Sequence, residues 1–413
     1  MKMRPHLRLL IGGSILLVLF VVNVIVTHDG LTEPHPGHND FLTVWEAGRS
    51  FWREGLDPYS EAVTANIQSS IYGRGAEGDE FPNAFAYPFY ALWVMLPLVF
   101  TDFAWASAIY MALSEACFVL ALILLLDLFR WKPPAWLFAL LALWSLLQYF
   151  AARGLVLGQV SNVVYLMQVV VLWALARRRD GLAGVVLALS TLKPQMGFLL
   201  IPFLLLWGVR RRRTSFVAAF AGFWTILLLS SFLLQPDWLR GWIGQLRTYP
   251  QYTVIGSPTH IVMQDWLALG ATGEWIANLA LWGLLLWAWM GVLLAGRAER
   301  HDWTIMLTLT ITHLSALRTA TPHFVIFTIP LVFYLREVGK KGSGFWIAAI
   351  LVGTLAIFWA QFLLTVKGRF EHASMYVVLP VAMLILLWFT RRLWWESSSV
   401  MGDEVAEDIA VAA

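Results

Sequence analysis

A small set of polar residues stands out in an otherwise apolar chain: Asp40 and Glu46, Gln159 and Asn162, Lys193 and Gln195, His260 and Gln264, Arg318 and His323. A carboxylate within reach of an alcohol can act as a general base. Lysine and arginine neutralise phosphate oxygens. A carboxylate on one loop with cations at several helix ends is the arrangement needed to hold a phosphate while a hydroxyl is deprotonated. Asp40 is the candidate carboxylate, and Lys193 and Arg318 are the candidate anion ligands. Glu46, Gln159, Asn162, Gln195, His260 and His323 complete the candidate set.

Each residue also has a plainer reading. Asp40 could only complement a helix dipole. Glu46 could be solvated or paired with an arginine. Lys193 could snorkel to an interface. Gln159 and Asn162 could satisfy backbone groups at a helix break. Arg318 could be an ordinary flanking charge, and His323 a buried, satisfied histidine. His35 and His38 with Asp40 are metal-ligand types, but the proline and glycine between them give no rigid helical spacing. A divalent metal is compatible with these residues, yet nothing indicates one, and no cofactor is expected.

The elements that must carry these residues follow from composition. The chain has 413 residues, 59% hydrophobic and 13% charged, with 23 tryptophans and a mean hydropathy of +0.68. Such a chain is an all-α polytopic membrane protein rather than a soluble domain. A net charge of +3 is too small to suggest nucleic acid, and the basic residues cluster as membrane flanks. The single cysteine, Cys117, excludes an intramolecular disulfide framework and a cysteine-based zinc site. No P-loop, dinucleotide glycine fingerprint or GxSxG elbow appears. ATP-driven transport and soluble-type hydrolysis are therefore disfavoured.

Hydrophobic periodicity orders the chain. Basic residues before a first span, at about Leu7 to Thr27, place its start in the cytoplasm. Residues 28–84 form a first outer loop. In it, Phe41, Val44, Trp45, Phe51 and Trp52 fall on one helical face, which Gly55 ends. Such a helix is expected to lie in the membrane surface, with its aromatic residues in the lipid. A second amphipathic helix is capped by Ser60 and ended by Gly73. Apolar runs at 85–100, 104–128, 135–150 and 160–176 are one too many for Arg177–Arg179 to be cytoplasmic, so one of them should be a short hairpin or re-entrant segment. Between Arg179 and Arg210 the chain should rise and return as two short helices, with Leu192-Lys193-Pro194-Gln195 at the apex. Proline breaks the helix there. A lysine at that depth is tolerated where it faces a cavity or an anion. Residues 235–274 form a second outer loop, residues 1–395 a single membrane domain, and 396–413 a cytoplasmic acidic tail.

At these residues the chain resembles the GT-C superfamily of membrane glycosyltransferases, most closely glycosyltransferase family 87. The matching pieces are Asn39-Asp40-Phe41, Gly55-Leu56-Asp57-Pro58-Tyr59, Tyr87-Pro88 with Pro97, Gly158-Gln159 with Asn162, Leu192-Lys193-Pro194, and Pro322-His323 with Pro330. Arg318-Thr319-Ala320-Thr321 replaces a more tryptophan-containing run of that family. The resemblance implies a GT-C-like helix bundle and a polyprenyl-phosphate sugar donor, often carrying mannose. It also implies inverting transfer to a glycan or glycolipid acceptor on the non-cytoplasmic face, in a bacterial plasma membrane. By similarity, Asp40 takes the acceptor proton, and Lys193, Arg318 and His323 steady the departing lipid phosphate. Two other classes compete: a flippase of lipid-linked sugars, with broken helices and intramembrane cations, and a non-catalytic envelope-assembly protein. The long amphipathic outer loop and the lack of evident inverted repeats weigh against the first. The clustered polar residues weigh against the second.

Overall fold

A computed structural model describes residues 5–35, 40–78, 80–252, 256–342, 344–368 and 370–397. His38, Asn39 and nearly all of the acidic tail lie outside them. Among the described residues every named element is helical. In chain order the helices begin with α1 (Pro5–Thr27), α2 (Asp40–Glu54), α3 (Glu61–Tyr72), α4 (Ala91–Met95) and α5 (Phe103–Leu128). Next come α6 (Ala135–Leu147), α7 (Tyr149–Leu157), α8 (Ser161–Ala176), α9 (Asp180–Ser190), α10 (Leu200–Arg210), α11 (Thr214–Leu234) and α12 (Trp238–Tyr252). The last group is α13 (Pro258–His260), α14 (Gly270–Leu293), α15 (His301–Ser315), α16 (Thr328–Lys341), α17 (Gly344–Thr365), α18 (Ser374–Phe389) and α19 (Arg391–Glu396).

Five of these segments are long and apolar enough to cross a membrane, and α6 with α7 adds a sixth candidate bent by 52°. The protein is therefore an all-α polytopic membrane protein. The apolar run 85–100 holds only the five-residue α4. This is the surplus run that the arginine pattern required. Proline at 88 and at 97 brackets it, and proline disrupts a continuing helix.

The chain divides into two compact units. The first comprises residues 1–117, 155–159 and 237–246. Here Val24 of α1 packs on Ala108 and Ala112 of α5. Asn23 Nδ2 donates to Glu115 at 2.6 Å, which gives an intramembrane carboxylate a partner. Helix α2 ends as expected: Gly55 has φ +71°, and the Leu56 N–H bonds back to the Ser50 carbonyl. Helix α3 has its Ser60 cap, accepting from the Val63 N–H, and Gly73 at φ +71°.

One expectation for α2 is narrowed. The first half of its aromatic stripe packs on protein, while Phe51 and Trp52 are half-buried. Phe41 and Val44 are fully buried within the protein, and Trp45 nearly so. The Phe41 ring stacks on Tyr110 at 4.4 Å, and Trp45 Nε1 donates to the Leu98 carbonyl at 3.0 Å. An amphipathic pattern demands an apolar partner and does not say whether lipid or protein supplies it.

The second unit comprises residues 118–154, 160–236 and 247–413. Its axis is α15, every residue of which is buried. Buried threonines on it satisfy their hydroxyls locally: Thr308, Thr310 and Thr312 each donate to the carbonyl four residues earlier. Helices α9 and α10 are the expected short pair, of eleven residues each. A Cβ on Gly184 would stand 2.3 Å from the Phe216 carbonyl oxygen. Only glycine lets α9 and α11 approach so closely. Arg213 beside α11 bonds Asp180 at the start of α9 at 2.7 Å, so the two feet of the hairpin are tied. At 1.5 Å per residue each arm is about 16 Å long, and the apex stands about 20 Å from the tied feet.

Candidate functional site

In the first unit the site is built on the start of α2. Asp40 is its first residue, where a negative charge complements the helix dipole. Asp40 Oδ2 accepts from Gln159 Nε2. Gln159 is buried and follows Gly158, whose φ of +62° turns the chain out of α7 in a conformation that favours glycine. The Gln159 carbonyl in turn accepts from the Tyr110 hydroxyl at 3.1 Å. A side-chain amide with a fixed backbone thus fixes the direction of the carboxylate. Glu46, one and a half turns on, is differently employed. It is buried, paired with Arg49 at 2.9 Å, and accepts from Ser50 as well.

In the second unit the hairpin apex carries Lys193, whose side chain is buried. Pro194–Met196 forms a single 3-10 turn that packs on α15. Gln168 of α8 donates to the Met196 carbonyl at 2.9 Å and holds the turn in place. Gln195 on this turn is half-buried. The charge of Lys193 acts on His323 of the Pro322-His323 pair. Burial first, then Lys193, then His313 holds the His323 imidazole well below its ordinary value. It is neutral at pH 7.

Hydrogen bonding sets the two imidazoles apart. His323 Nδ1 accepts from the Ala320 N–H at 3.3 Å, which assigns its proton to Nε2. His313 Nδ1 faces the Leu309 carbonyl at 2.9 Å, which assigns its proton to Nδ1. The rings lie 6.5 Å apart. Neither Nε2 atom has a hydrogen-bond partner, and both are buried. One is thus a neutral donor and the other an acceptor, side by side. Both amide atoms of buried Asn162 also lack a partner. Orphaned buried polar atoms are uncommon and call for an explanation. Arg318 is half-buried in the turn after α15. His260 pairs with Glu274 at 3.0 Å, and the neighbouring Thr259 hydroxyl donates to the Leu314 carbonyl of α15 at 3.1 Å.

The sequence's metal-ligand cluster rests on His38, which lies outside the described residues. A different group, His28, Asp29 and Glu33, brings its ligand atoms within 4.8 Å of one another. His28 Nδ1 is already bonded to Asp29 at 2.7 Å, and its ring stacks on Trp105. Those contacts account for the cluster.

A family profile, glycosyltransferase family 87, matches residues 85–320. The chain belongs to glycosyltransferase family 87. No curated protein and no solved structure matches it. As a family 87 member the protein is a membrane glycosyltransferase. The matched stretch contains Gln159, Asn162, Lys193, Gln195, His260 and Arg318. Asp40 and Glu46 precede it, and His323 follows it.

Sequence reasoning missed one polar centre of this family 87 protein. Glu371, buried in the turn after α17, accepts from four side chains. They are Arg153 Nε at 3.0 Å, the Thr321 hydroxyl at 2.8 and 2.9 Å, the Tyr376 hydroxyl at 2.8 Å and the Tyr149 hydroxyl. Helices α7 and α18 and the turn that carries His323 are thereby joined at one carboxylate. A signal was available. Arg153 is the sole charged residue between Lys132 and Arg177, and a lone charge at membrane depth implies a partner.

Proposed function

We propose that this protein transfers a hexose, with mannose the first candidate, from a polyprenyl-phosphate carrier to a glycan or glycolipid acceptor, on the non-cytoplasmic face and with inversion. The observation that carries the reading is the family 87 match, supported by the buried imidazoles of His313 and His323, whose Nε2 atoms have no hydrogen-bond partner. A lysine ammonium and an imidazole N–H donor are groups suited to a lipid phosphate. In the reaction the acceptor oxygen attacks the anomeric carbon. The bond from that carbon to the phosphate oxygen breaks, and its electron pair leaves with the polyprenyl phosphate. The acceptor proton passes to Asp40. Lys193 and Arg318 balance the charge on the leaving phosphate, and His323 donates to it from Nε2.

The test is transfer by the purified protein from a synthetic polyprenyl-phosphate mannose, with the anomeric configuration of the product read by NMR. Lys193→Ala should weaken donor binding by about tenfold to a hundredfold, since a hydrogen bond to a charged group is worth about 1.5–3 kcal/mol. Lys193→Arg keeps the charge in a different geometry and should lose less. Equal losses in both, with unchanged donor affinity, would mark Lys193 as a packing residue.

Sidedness has its own test. The positive-inside pattern of the arginine clusters supports an outward position for Asp40, Gln159, Lys193 and Arg318. In a Cys117→Ser background, Arg318→Cys, at a half-buried position, should react with a small maleimide added outside intact cells. Reaction only from the cytoplasmic side would refute this orientation.

A further inference from the structure

A groove of about 400 Å³ lies in the first unit, lined by Asp57, Tyr59, Asp237, Arg240, Gly241, Gly244 and Gln245. We propose that it is a carbohydrate subsite for the remote end of an acceptor several sugars long. The inference rests on the glycosyl-transfer reading above and names the acceptor class within it.

The lining selects the ligand class. Two carboxylates offer acceptors, the guanidinium and the amide offer donors, and two glycines expose backbone. Among the described residues no aliphatic side chain lines the groove, so a lipid chain has little to bury against there. A phosphate would meet two carboxylates against one arginine, and a metal ion would meet the arginine. A neutral polyol satisfies the mixed set, because each hydroxyl both donates and accepts. The site is an open surface depression rather than an enclosed cavity.

The groove is preformed. Gln245 Nε2 donates to the Tyr59 carbonyl at 3.4 Å, and Trp242 Nε1 donates to the Ala86 carbonyl at 3.0 Å. A Cβ on Gly241 would stand 2.8 Å from Tyr59 Cβ, so the α12 backbone lies directly on that residue. Tyr59 is itself pinned, its hydroxyl donating to the Tyr87 carbonyl at 2.8 Å. Asp57 Oδ1 accepts from the Tyr59 N–H at 3.0 Å. A rigid floor lowers the ordering cost of binding.

Its place decides which sugar it holds. Asp40 opens α2, and Asp57 follows the end of that helix. The helix between them is about 22 Å long, the length of several sugar rings. The groove therefore cannot hold the reacting sugar, and an acceptor that fills both positions must already be an oligosaccharide. The reaction that supplies this acceptor is an earlier glycosyl transfer onto the same glycan.

Gly244 provides a clean block. Nothing lies within 4 Å of a Cβ placed there, so a side chain at 244 leaves the α12 backbone free of clash, and Gly244→Trp is expected to fill the groove. Asp237→Asn, at an exposed position, is the second variant. With methyl glycosides of mannose and of α-linked mannotetraose as acceptors, the wild type should show a tetrasaccharide KM at least about tenfold lower. Both variants should raise it to the monosaccharide value, leaving kcat, the donor KM and the monosaccharide KM unchanged. An unaltered tetrasaccharide preference in both variants would overturn the proposal. Saturation-transfer NMR with manno-, gluco- and galacto-tetraose decides the matter independently of turnover. A signal that wild type gives and Gly244→Trp abolishes supports the subsite, even if no sugar is transferred and the transfer reading fails. No signal from any tetraose, or an equal signal from both proteins, refutes it.

Discussion

Asp40→Asn is expected to lower turnover by about 10²–10⁴-fold, the usual contribution of a general base, while the lipid donor still binds. Asparagine preserves the size of the side chain and the oxygen that accepts from Gln159 Nε2. It is also a comparable residue at a helix start, so α2 should keep its place on Phe103 and Tyr110. What it cannot do is accept a proton from an alcohol. The competing account, that Asp40 only complements the helix dipole, assigns the exchange a cost of under about 1 kcal/mol and leaves turnover near wild type. Transfer rate and donor binding measured on the same preparation separate the two. Near-normal turnover would remove Asp40 from the mechanism.

The sequence made some of this visible, for reasons that particular residues explain. Helix α3 is legible because both of its ends are encoded locally: Ser60 supplies a side-chain acceptor and Gly73 the left-handed turn. The hairpin at Lys193 is legible because two arginine clusters and a proline leave its arms no room to be longer. The partner of the α2 stripe is not legible, because Phe103 and Tyr110 lie more than sixty positions along the chain from Phe41, and periodicity reports only that a face is apolar. The tautomers of His313 and His323 are also invisible, since each is fixed by a backbone group. Glu371 escaped because its four partners come from residues 149, 153, 321 and 376. No short-range pattern joins them.

Arg153→Met is expected to be the most destabilising of the substitutions considered. Removing one partner of a buried ion pair leaves an uncompensated charge, at a cost of about 3–5 kcal/mol. The Arg153 side chain is 27% exposed and that of Glu371 only 5%, so the charge left behind is the buried one. Three hydroxyls still donate to it, which places the loss near the lower end, at about 3 kcal/mol. Glu371→Gln alone should cost less, on the order of 1 kcal/mol, because the half-buried arginine can turn to water, the amide oxygen still accepts on one side, and a hydroxyl facing the amide NH2 can turn to accept from it. The double variant should then be more stable than Arg153→Met alone, since no charge remains buried. Thr321, bonded to Glu371 through both carboxylate oxygens, starts the turn that carries His323. Donor binding should therefore fall in Arg153→Met and recover in the double variant along with stability. Denaturant unfolding and donor binding of the three proteins in detergent give both readouts. If Arg153→Met unfolds like wild type yet no longer binds donor, Arg153 meets the substrate directly, and Glu371 positions a ligand-binding cation rather than bracing the fold.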